Sequence, residues 1–241
     1  MPKMRRNLKI TVFVLYLSAV LLAGFLVFDF AYARSYYSQL REPRQLTQVQ
    51  DSLYLYGNVS NERVQQHKME YNFIPEWLTN RFYVAGGSVF LSDTFYFPVD
   101  ETEYRSAWGM FQADGRYSCL EIWIYHGSMD ELTAAHEFGH YLDYILRWES
   151  QSEKFRELFD LEQLGFALFR SAENPNLTEF PNPYEYFAEF FAWYSRAVNG
   201  DDASRSTSLM ENFPETFAYF EDIFSKNANP NYFIQIPSIN T

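Results

Sequence analysis

A long apolar run opens the chain. Residues 10–28 contain no charged side chain, and a helix of 19 residues spans roughly 28 Å, about the thickness of a hydrocarbon core. Four basic residues precede the run, which orients the N-terminus toward the cytoplasm: Lys3, Arg5, Arg6 and Lys9. We therefore predict that residues 1–33 form either a single N-terminal transmembrane anchor or a signal peptide.

Two interpretations of this segment stay open. Ala31-Tyr32-Ala33 has the small-x-small form of a signal-peptidase site, which favours cleavage and secretion. The length of residues 10–28 instead favours a retained anchor with its N-terminus inside. Both interpretations place the rest of the protein outside the cytoplasmic membrane.

From residue 58 onward the spacing of apolar positions becomes that of a globular domain. We expect a polar linker over 34–57 and one domain over 58–241. The alternation of Leu120, Ile122 and Ile124 with Glu121, Trp123 and Tyr125 predicts a strand over 117–125. Shorter strands are expected at 88–92 and 95–97.

The remaining segments are predicted to be helical. Residues 61–81 form a helix interrupted near Pro75, and Ser128 with Glu131 resembles a capping box that starts a helix at about 129 and extends it to about 148. Further helices are expected over 152–172, 183–198 and 214–226, the second with Asn182 as N-cap and Pro183 in its first turn. The pattern predicts an α+β fold: a small mixed sheet, one central helix and a mainly helical C-terminal half.

Composition excludes several classes of protein. The net charge is −12, and residues 34–241 alone carry −15, so the domain would repel nucleic acid. Cys119 is the one cysteine, so neither an intrachain disulfide nor a structural zinc site of several cysteines can form. A packed core is feasible because 20% of the residues are aromatic.

The central helix carries the chemistry. His136 and His140 are four residues apart, so both rings project from one helix face and can bind one metal ion. Glu137 flanks the same position, where a glutamate can act as general base toward a metal-activated water. The alternative is a helix with two surface histidines and no metal.

A catalytic zinc ion needs a third protein ligand, and two glutamates downstream are candidates. Glu185 and Glu189 lie four apart on an aromatic helix, where buried carboxylates need a positive partner. We assign Glu185 as the metal ligand and Glu189 as an acceptor for a histidine N–H, with Asp143 as a second candidate for that outer position. Glu185 could instead complete a capping box with Asn182, and Glu179 is a weaker ligand candidate.

These motifs together resemble a known family. His136 to Asp143, followed by Glu185 to Phe191 and then Asn212 to Phe220, are similar to the catalytic domain of anthrax lethal factor and to the secreted Pro-Pro endopeptidases. The resemblance implies a zincin fold, one Zn²⁺ per chain and hydrolysis of a polypeptide substrate. It also implies that the strand near 119–125 lies at the rim of the cleft, where a substrate would pair with it.

One position departs from that family. Its members carry a tyrosine seven residues before the glutamate ligand, which helps to stabilise the oxyanion, and here that position is Thr178. Tyr184 and Tyr186 are the replacement candidates. The sequence therefore predicts a zinc endopeptidase, with a zincin-like module that binds a peptide or partner at the cell surface without cleaving it as the alternative. His67 is expected at the surface.

Overall fold

The computed structural model describes residues 46–50, 53–93, 109–114, 119–125, 132–171, 180–200 and 203–227. The chain divides into two compact units, Met1–Leu46 with Asp114–Cys119 and Thr47–Ala113 with Leu120–Thr241, and the described residues belong almost entirely to the second. The apolar segment 10–28 lies outside them. Within the described ranges, no helix is long and apolar enough to cross a membrane.

Five strands form one sheet. They are β1 (Leu46–Gln50), β2 (Leu53–Tyr56), β3 (Ser88–Ser92), β4 (Gly109–Asp114) and β5 (Cys119–Tyr125), in the order β1-β2-β3-β5-β4. Strands β2, β3 and β5 are parallel, which aligns Leu55, Leu91 and Ile124 across the sheet. The sheet thus begins inside the segment 34–57 that was expected to be a linker.

Strand β5 is an inner strand, which corrects one expectation. It lies between β3 and β4, so the rim of the sheet on this side is β4 rather than residues 119–125. Both faces of β5 are buried: Ile122 belongs to the hydrophobic core, and Trp123 stacks on Phe90 with ring centroids 4.4 Å apart. On β5 the alternation of residue types therefore distinguishes two buried faces of the strand, rather than a buried face from a solvent-exposed one.

Seven α-helices occur within the described residues. They are α1 (Asn61–Tyr71), α2 (Glu76–Val84), α3 (Thr133–Ile145), α4 (Glu153–Ser171), α5 (Pro183–Asn199), α6 (Ala203–Asn212) and α7 (Pro214–Asn227). The interruption near Pro75 is confirmed as the break between α1 and α2. The predicted cap of α5 is also confirmed, since Asn182 Oδ1 accepts the backbone N–H of Glu185 at 3.0 Å. Helix α6 was not predicted.

Helix α3 begins later and ends earlier than the sequence suggested. Its first residue is Thr133, its N-cap Leu132 makes no side-chain cap, and Ser128 and Glu131 lie outside the described residues. The Glu70 carboxylate of α1 accepts the Ala134 backbone N–H at 3.4 Å, an N–H group in the first turn of α3. At the other end, Trp148 has a φ of 63°, a backbone conformation that a helix cannot continue through.

The two helices that carry the motifs cross at very short range. A Cβ atom added to Gly139 on α3 would lie 2.7 Å from the Ala188 Cα on α5, so only glycine permits this approach.

His67 is buried rather than at the surface, which corrects the expectation from the sequence: it is 4% exposed on α1. Burial, with a smaller effect of nearby Arg63, lowers the pKa of His67 to about 3, so the ring stays neutral.

Candidate active site

Helix α3 presents the three motif residues at different depths. The side chain of His136 is 19% exposed and that of His140 only 6%, and their rings lie edge to face with centroids 4.7 Å apart. Glu137 is 4% exposed. The four-residue spacing therefore does place both imidazoles on one face of the helix, at the edge of the buried interior.

Helix α5 brings a carboxylate to both imidazoles. Glu185 Oε2 lies 3.3 Å from His136 Nε2 and 3.7 Å from His140 Nε2. The ligand atoms of these three residues all lie within 4.8 Å of one another. Two ligands about 2.0–2.1 Å from a tetrahedral ion are roughly 3.3 Å apart, so this spacing fits a shared metal ion.

The two roles considered for Glu185 are compatible. Its backbone N–H is bound by Asn182 at the start of α5, while its side chain faces His136 and His140. The cap uses the main chain and the candidate metal site uses the carboxylate. The cap therefore fixes the helix position from which the carboxylate reaches the histidines.

One turn further along α5, Glu189 holds the other side of His136. Its Oε2 lies 2.7 Å from His136 Nδ1, and its Oε1 forms an ion pair with Arg170 of α4 at 2.5 Å. Burial would raise the pKa of Glu189, but the contacts with His136 and Arg170 outweigh it and lower that pKa. The carboxylate is thus a charged acceptor for a histidine N–H.

The pKa values of the two histidines are shifted in opposite directions. Burial alone would lower the pKa of His136, but Glu185 and Glu189 raise it well above the ordinary value. For His140, burial and the neighbouring His136 lower the pKa well below the ordinary value. His140 is therefore held as a neutral imidazole, the form that binds a metal ion.

Glu137 is enclosed between α3 and the outer strand β4. Its pKa is raised to about 8: burial is the largest cause and Glu185 and Glu189 act in the same direction, while His136 and the Phe111 backbone N–H act in the opposite direction. A Cβ atom on Gly109 would lie 2.5 Å from Glu137 Oε1, so β4 passes directly over this carboxylate. Burial among negative charges is the environment of a tuned general base.

Several observations on these residues fit a bound cation. The carboxyl groups of Glu137, Glu185 and Glu189 gather around two imidazoles. Among the described residues, Arg170 lies within ion-pair distance of one of these groups, the Glu189 carboxylate. Glu137 Oε2 is buried with no hydrogen-bond partner in the described part of the chain. The carboxyl groups favour a positive charge at this point, and a set of two nitrogens and one oxygen is typical of zinc.

Tyr184 and Tyr186, the two oxyanion candidates, are directed to different places. The Tyr184 ring stacks on the His140 imidazole at 4.0 Å between centroids. Burial raises its pKa, as do Glu137, Glu185 and Asp143, so its phenol stays protonated. Tyr186 is fully buried, and its hydroxyl is bound to Thr216 Oγ1 at 3.0 Å, so this candidate is wrong.

Asp143 also has a different role from the expected one. Its two carboxylate oxygens accept the backbone N–H and the hydroxyl of Ser150, both at 2.7 Å. It therefore fixes the turn after α3 rather than a histidine, and among the described residues His140 Nδ1 has no hydrogen-bond partner. Thr178 and the weaker ligand candidate Glu179 lie outside the described residues.

Sequence reasoning did not identify Gly109, Gly139 and Arg170. Glycine at 139 follows Phe138 inside the motif, and this small residue in a helix was the one available signal of a close crossing. Neither Gly109 nor Arg170 belongs to a recognisable spacing, because each reaches the site from an element distant in sequence.

Comparison with known proteins identifies a similar fold. No family model matches the chain, and no curated protein matches its sequence. Its structure is similar to that of the Pro-Pro endopeptidase PPEP-2 from Paenibacillus alvei, with a TM-score of 0.51 and 16% sequence identity. The match covers 72% of this chain and 97% of the PPEP-2 chain, so the two proteins share a mixed α+β fold with a small sheet.

Proposed function

We propose that this protein is a zinc-dependent endopeptidase that hydrolyses extracytoplasmic or secreted polypeptides. The observation that carries the proposal is the convergence of His136 Nε2, His140 Nε2 and Glu185 Oε2 beside the buried Glu137. The resemblance of the motifs to lethal factor and the Pro-Pro endopeptidases, together with the fold shared with PPEP-2, supports the same conclusion.

The residues around the metal site divide the chemistry. His136, His140 and Glu185 would hold the zinc ion, which would supply Lewis acidity toward a peptide carbonyl and toward the attacking water. Glu137 takes a proton from that water and returns one to the leaving amine. Tyr184, whose phenol stays protonated against His140, is our candidate donor to the developing oxyanion.

A peptide substrate fits the outer strand of the sheet. Strand β4 is the outermost strand beside β5, and its residues Gly109 and Phe111 are those that approach Glu137. An extended polypeptide added along such a strand would pass the catalytic group with its backbone hydrogen-bonded. The apolar segment 10–28, as an anchor or a signal, would deliver this activity outside the cytoplasmic membrane.

The full chain in mild detergent provides the test. We expect about one zinc ion per chain and cleavage of a peptide library that a chelator abolishes. Glu137→Gln should lower the rate of cleavage by about 10²–10⁴-fold while the zinc content stays unchanged. The matched control is Glu157→Gln, since Glu157 is exposed on α4. A wild-type protein without zinc at micromolar free metal would refute the proposal.

A zincin-like module that binds a peptide or partner without cleaving it is the second candidate. Thr178, at the position of the family's tyrosine, is the observation that favours it. The peptide library separates the two candidates, because zinc binding together with peptide binding but no chelator-sensitive cleavage would support the module.

A further inference from the structure

We propose that Arg170 is a positioning residue of the metal site. Through Glu189 it fixes the ring of His136 and keeps the Glu189 carboxylate away from the metal, which leaves Glu185 as the carboxylate ligand. This inference rests on the proposed function, because it concerns the metal that the site holds.

Arg170 lies in the last turn of α4 and is only 3% exposed. Its Nη2 lies 2.5 Å from Glu189 Oε1, and its guanidinium lies over the Trp193 ring at 5.1 Å from the centroid. Removing a guanidinium from water is costly unless an anion meets it, so this ion pair is a strong constraint on both side chains. The indole then limits how far the guanidinium can move.

Glu189 divides its two oxygens between different partners. Oε1 faces Arg170, while Oε2 lies 2.7 Å from His136 Nδ1. When Nδ1–H donates to Oε2, the lone pair of Nε2 is directed toward His140 and Glu185. The ring orientation of His136 therefore depends on the Glu189 carboxylate plane, which the contact with Arg170 fixes.

The two glutamates of α5 are distinguished by this arginine. They are four residues apart on one helix face, and both approach His136. Glu189 is ion-paired to Arg170 and 7% exposed, whereas the ion-pair partners of Glu185 among the described residues are His136 and His140. Without Arg170 the two carboxylates would compete for the same cation, and His136 would lose its fixed orientation.

Zinc affinity measured by competition with a chromophoric chelator tests this role. We expect Arg170→Met and Arg170→Lys to weaken zinc binding by about 10–100-fold, the range typical of a lost outer partner of a metal ligand. Lysine keeps the charge but not the planar fork, so Arg170→Lys should not restore the affinity. The visible absorption spectrum of the Co²⁺-loaded protein should shift, since ligand geometry changes.

A double variant separates positioning from folding. Glu189→Gln should weaken zinc binding as Arg170→Met does, and the combination of both should bind zinc no more weakly than Glu189→Gln alone. Because the combination removes both buried charges, we expect it to unfold at a higher temperature than either single variant. Relative to Arg170→Met, the combination should then gain thermal stability without recovering zinc affinity, which a purely structural arginine would not produce.

Arg205 provides the matched control. Its guanidinium lies over the same Trp193 ring, 4.8 Å from the centroid, and Arg205→Met should change zinc affinity by less than twofold. If folded Arg170→Met binds zinc as wild type does, or if its effect adds fully to that of Glu189→Gln, the inference is wrong and the proposed function stands. If Arg170→Met does not fold, the lysine and double variants decide. A wild-type protein that binds no zinc refutes both.

Discussion

Helix α5 has two faces that are built on different principles. One face directs Glu185, Ala188 and Glu189 toward α3, where the backbones nearly touch and carboxylates meet imidazoles. The opposite face directs Tyr186, Phe187 and Phe190 into an aromatic core, and the Phe190 ring lies 4.9 Å from Phe166 and 5.4 Å from Phe220. Both faces are buried over most of their length.

The difference shows how one helix serves stability and chemistry at once. On the aromatic face the requirement is volume, because closely packed rings stabilise the fold through the apolar area they bury. On the site face each charged side chain must lie at a defined position, because a buried charge is stabilised only when it contacts its partner. We therefore expect substitutions on the two faces to affect different measurements.

The largest effect is expected at the site face. Glu185→Gln removes a charged ligand, so zinc affinity should fall by more than the ~10–100-fold expected for an outer partner, and cleavage should be lost with it. Because Glu185 is partly exposed and its cap uses the backbone, the temperature of unfolding of the metal-free protein should change little. Titration with zinc and a thermal melt of the apoprotein measure both quantities. Wild-type zinc affinity would remove Glu185 from the ligand set.

The aromatic face should give the opposite result. Phe190→Ala leaves a cavity between α4, α5 and α7, and we expect the free energy of unfolding to fall by about 3–5 kcal/mol. The zinc affinity of the molecules that remain folded should stay within a few-fold of wild type, as measured at low temperature. A loss of affinity as large as that of Glu185→Gln would show that the two faces are not independent.

Gly139→Ala should affect both the free energy of unfolding and the zinc affinity. The added methyl group would meet the Ala188 backbone at 2.7 Å, so α3 and α5 must separate. We expect a loss of about 1–3 kcal/mol in the free energy of unfolding, together with weaker zinc binding, because the histidines and glutamates stand on different helices. Gly165→Ala is the control, since its Cβ would meet only Phe213 at 3.4 Å. Unchanged zinc affinity in Gly139→Ala would disprove the tight crossing.

The smallest effects come from two tyrosines, one on each face. Tyr184→Phe should lower the turnover number of cleavage without changing unfolding, because its hydroxyl is our candidate oxyanion donor. Tyr186→Phe should lower the free energy of unfolding by about 1 kcal/mol, since Thr216 loses its partner, and should leave turnover unchanged. Steady-state kinetics and denaturant titration on the same samples compare them. Unaltered turnover in Tyr184→Phe would assign the oxyanion to another group.

The sequence predicted much of the helical half, for a local reason. Helix starts are determined by neighbours in the chain, and Asn182 with Pro183 located the start of α5 correctly. The spacing of His136 and His140 likewise predicted a shared helix face. Where the cap came from elsewhere, prediction failed: Glu70 of α1 meets the first turn of α3, and no local pattern near residue 133 indicates it.

Parts of the sheet and the outer contacts of the site could not be predicted, because they depend on distant pairing. Strands β1 and β2 are only five and four residues long, and β2 gains its place by pairing with β3, more than 30 residues later. The partners of Asp143 and Tyr186 were wrong for a similar reason. Both residues were assigned to the site because they lie close to its motifs in sequence. In the folded chain, Asp143 is hydrogen-bonded to Ser150 and Tyr186 to Thr216.

The cap of α5 determines where residues can be inserted near the start of this helix without disturbing the site. Asn182 fixes where the helix begins, and Glu185 faces the histidines because it stands three residues after that point. Each residue turns an α-helix by about 100°, so one residue inserted between them would rotate the carboxylate away from His136. A residue inserted before Asn182 would leave that angle unchanged. Natural variation in length should therefore accumulate before residue 182 and stop there.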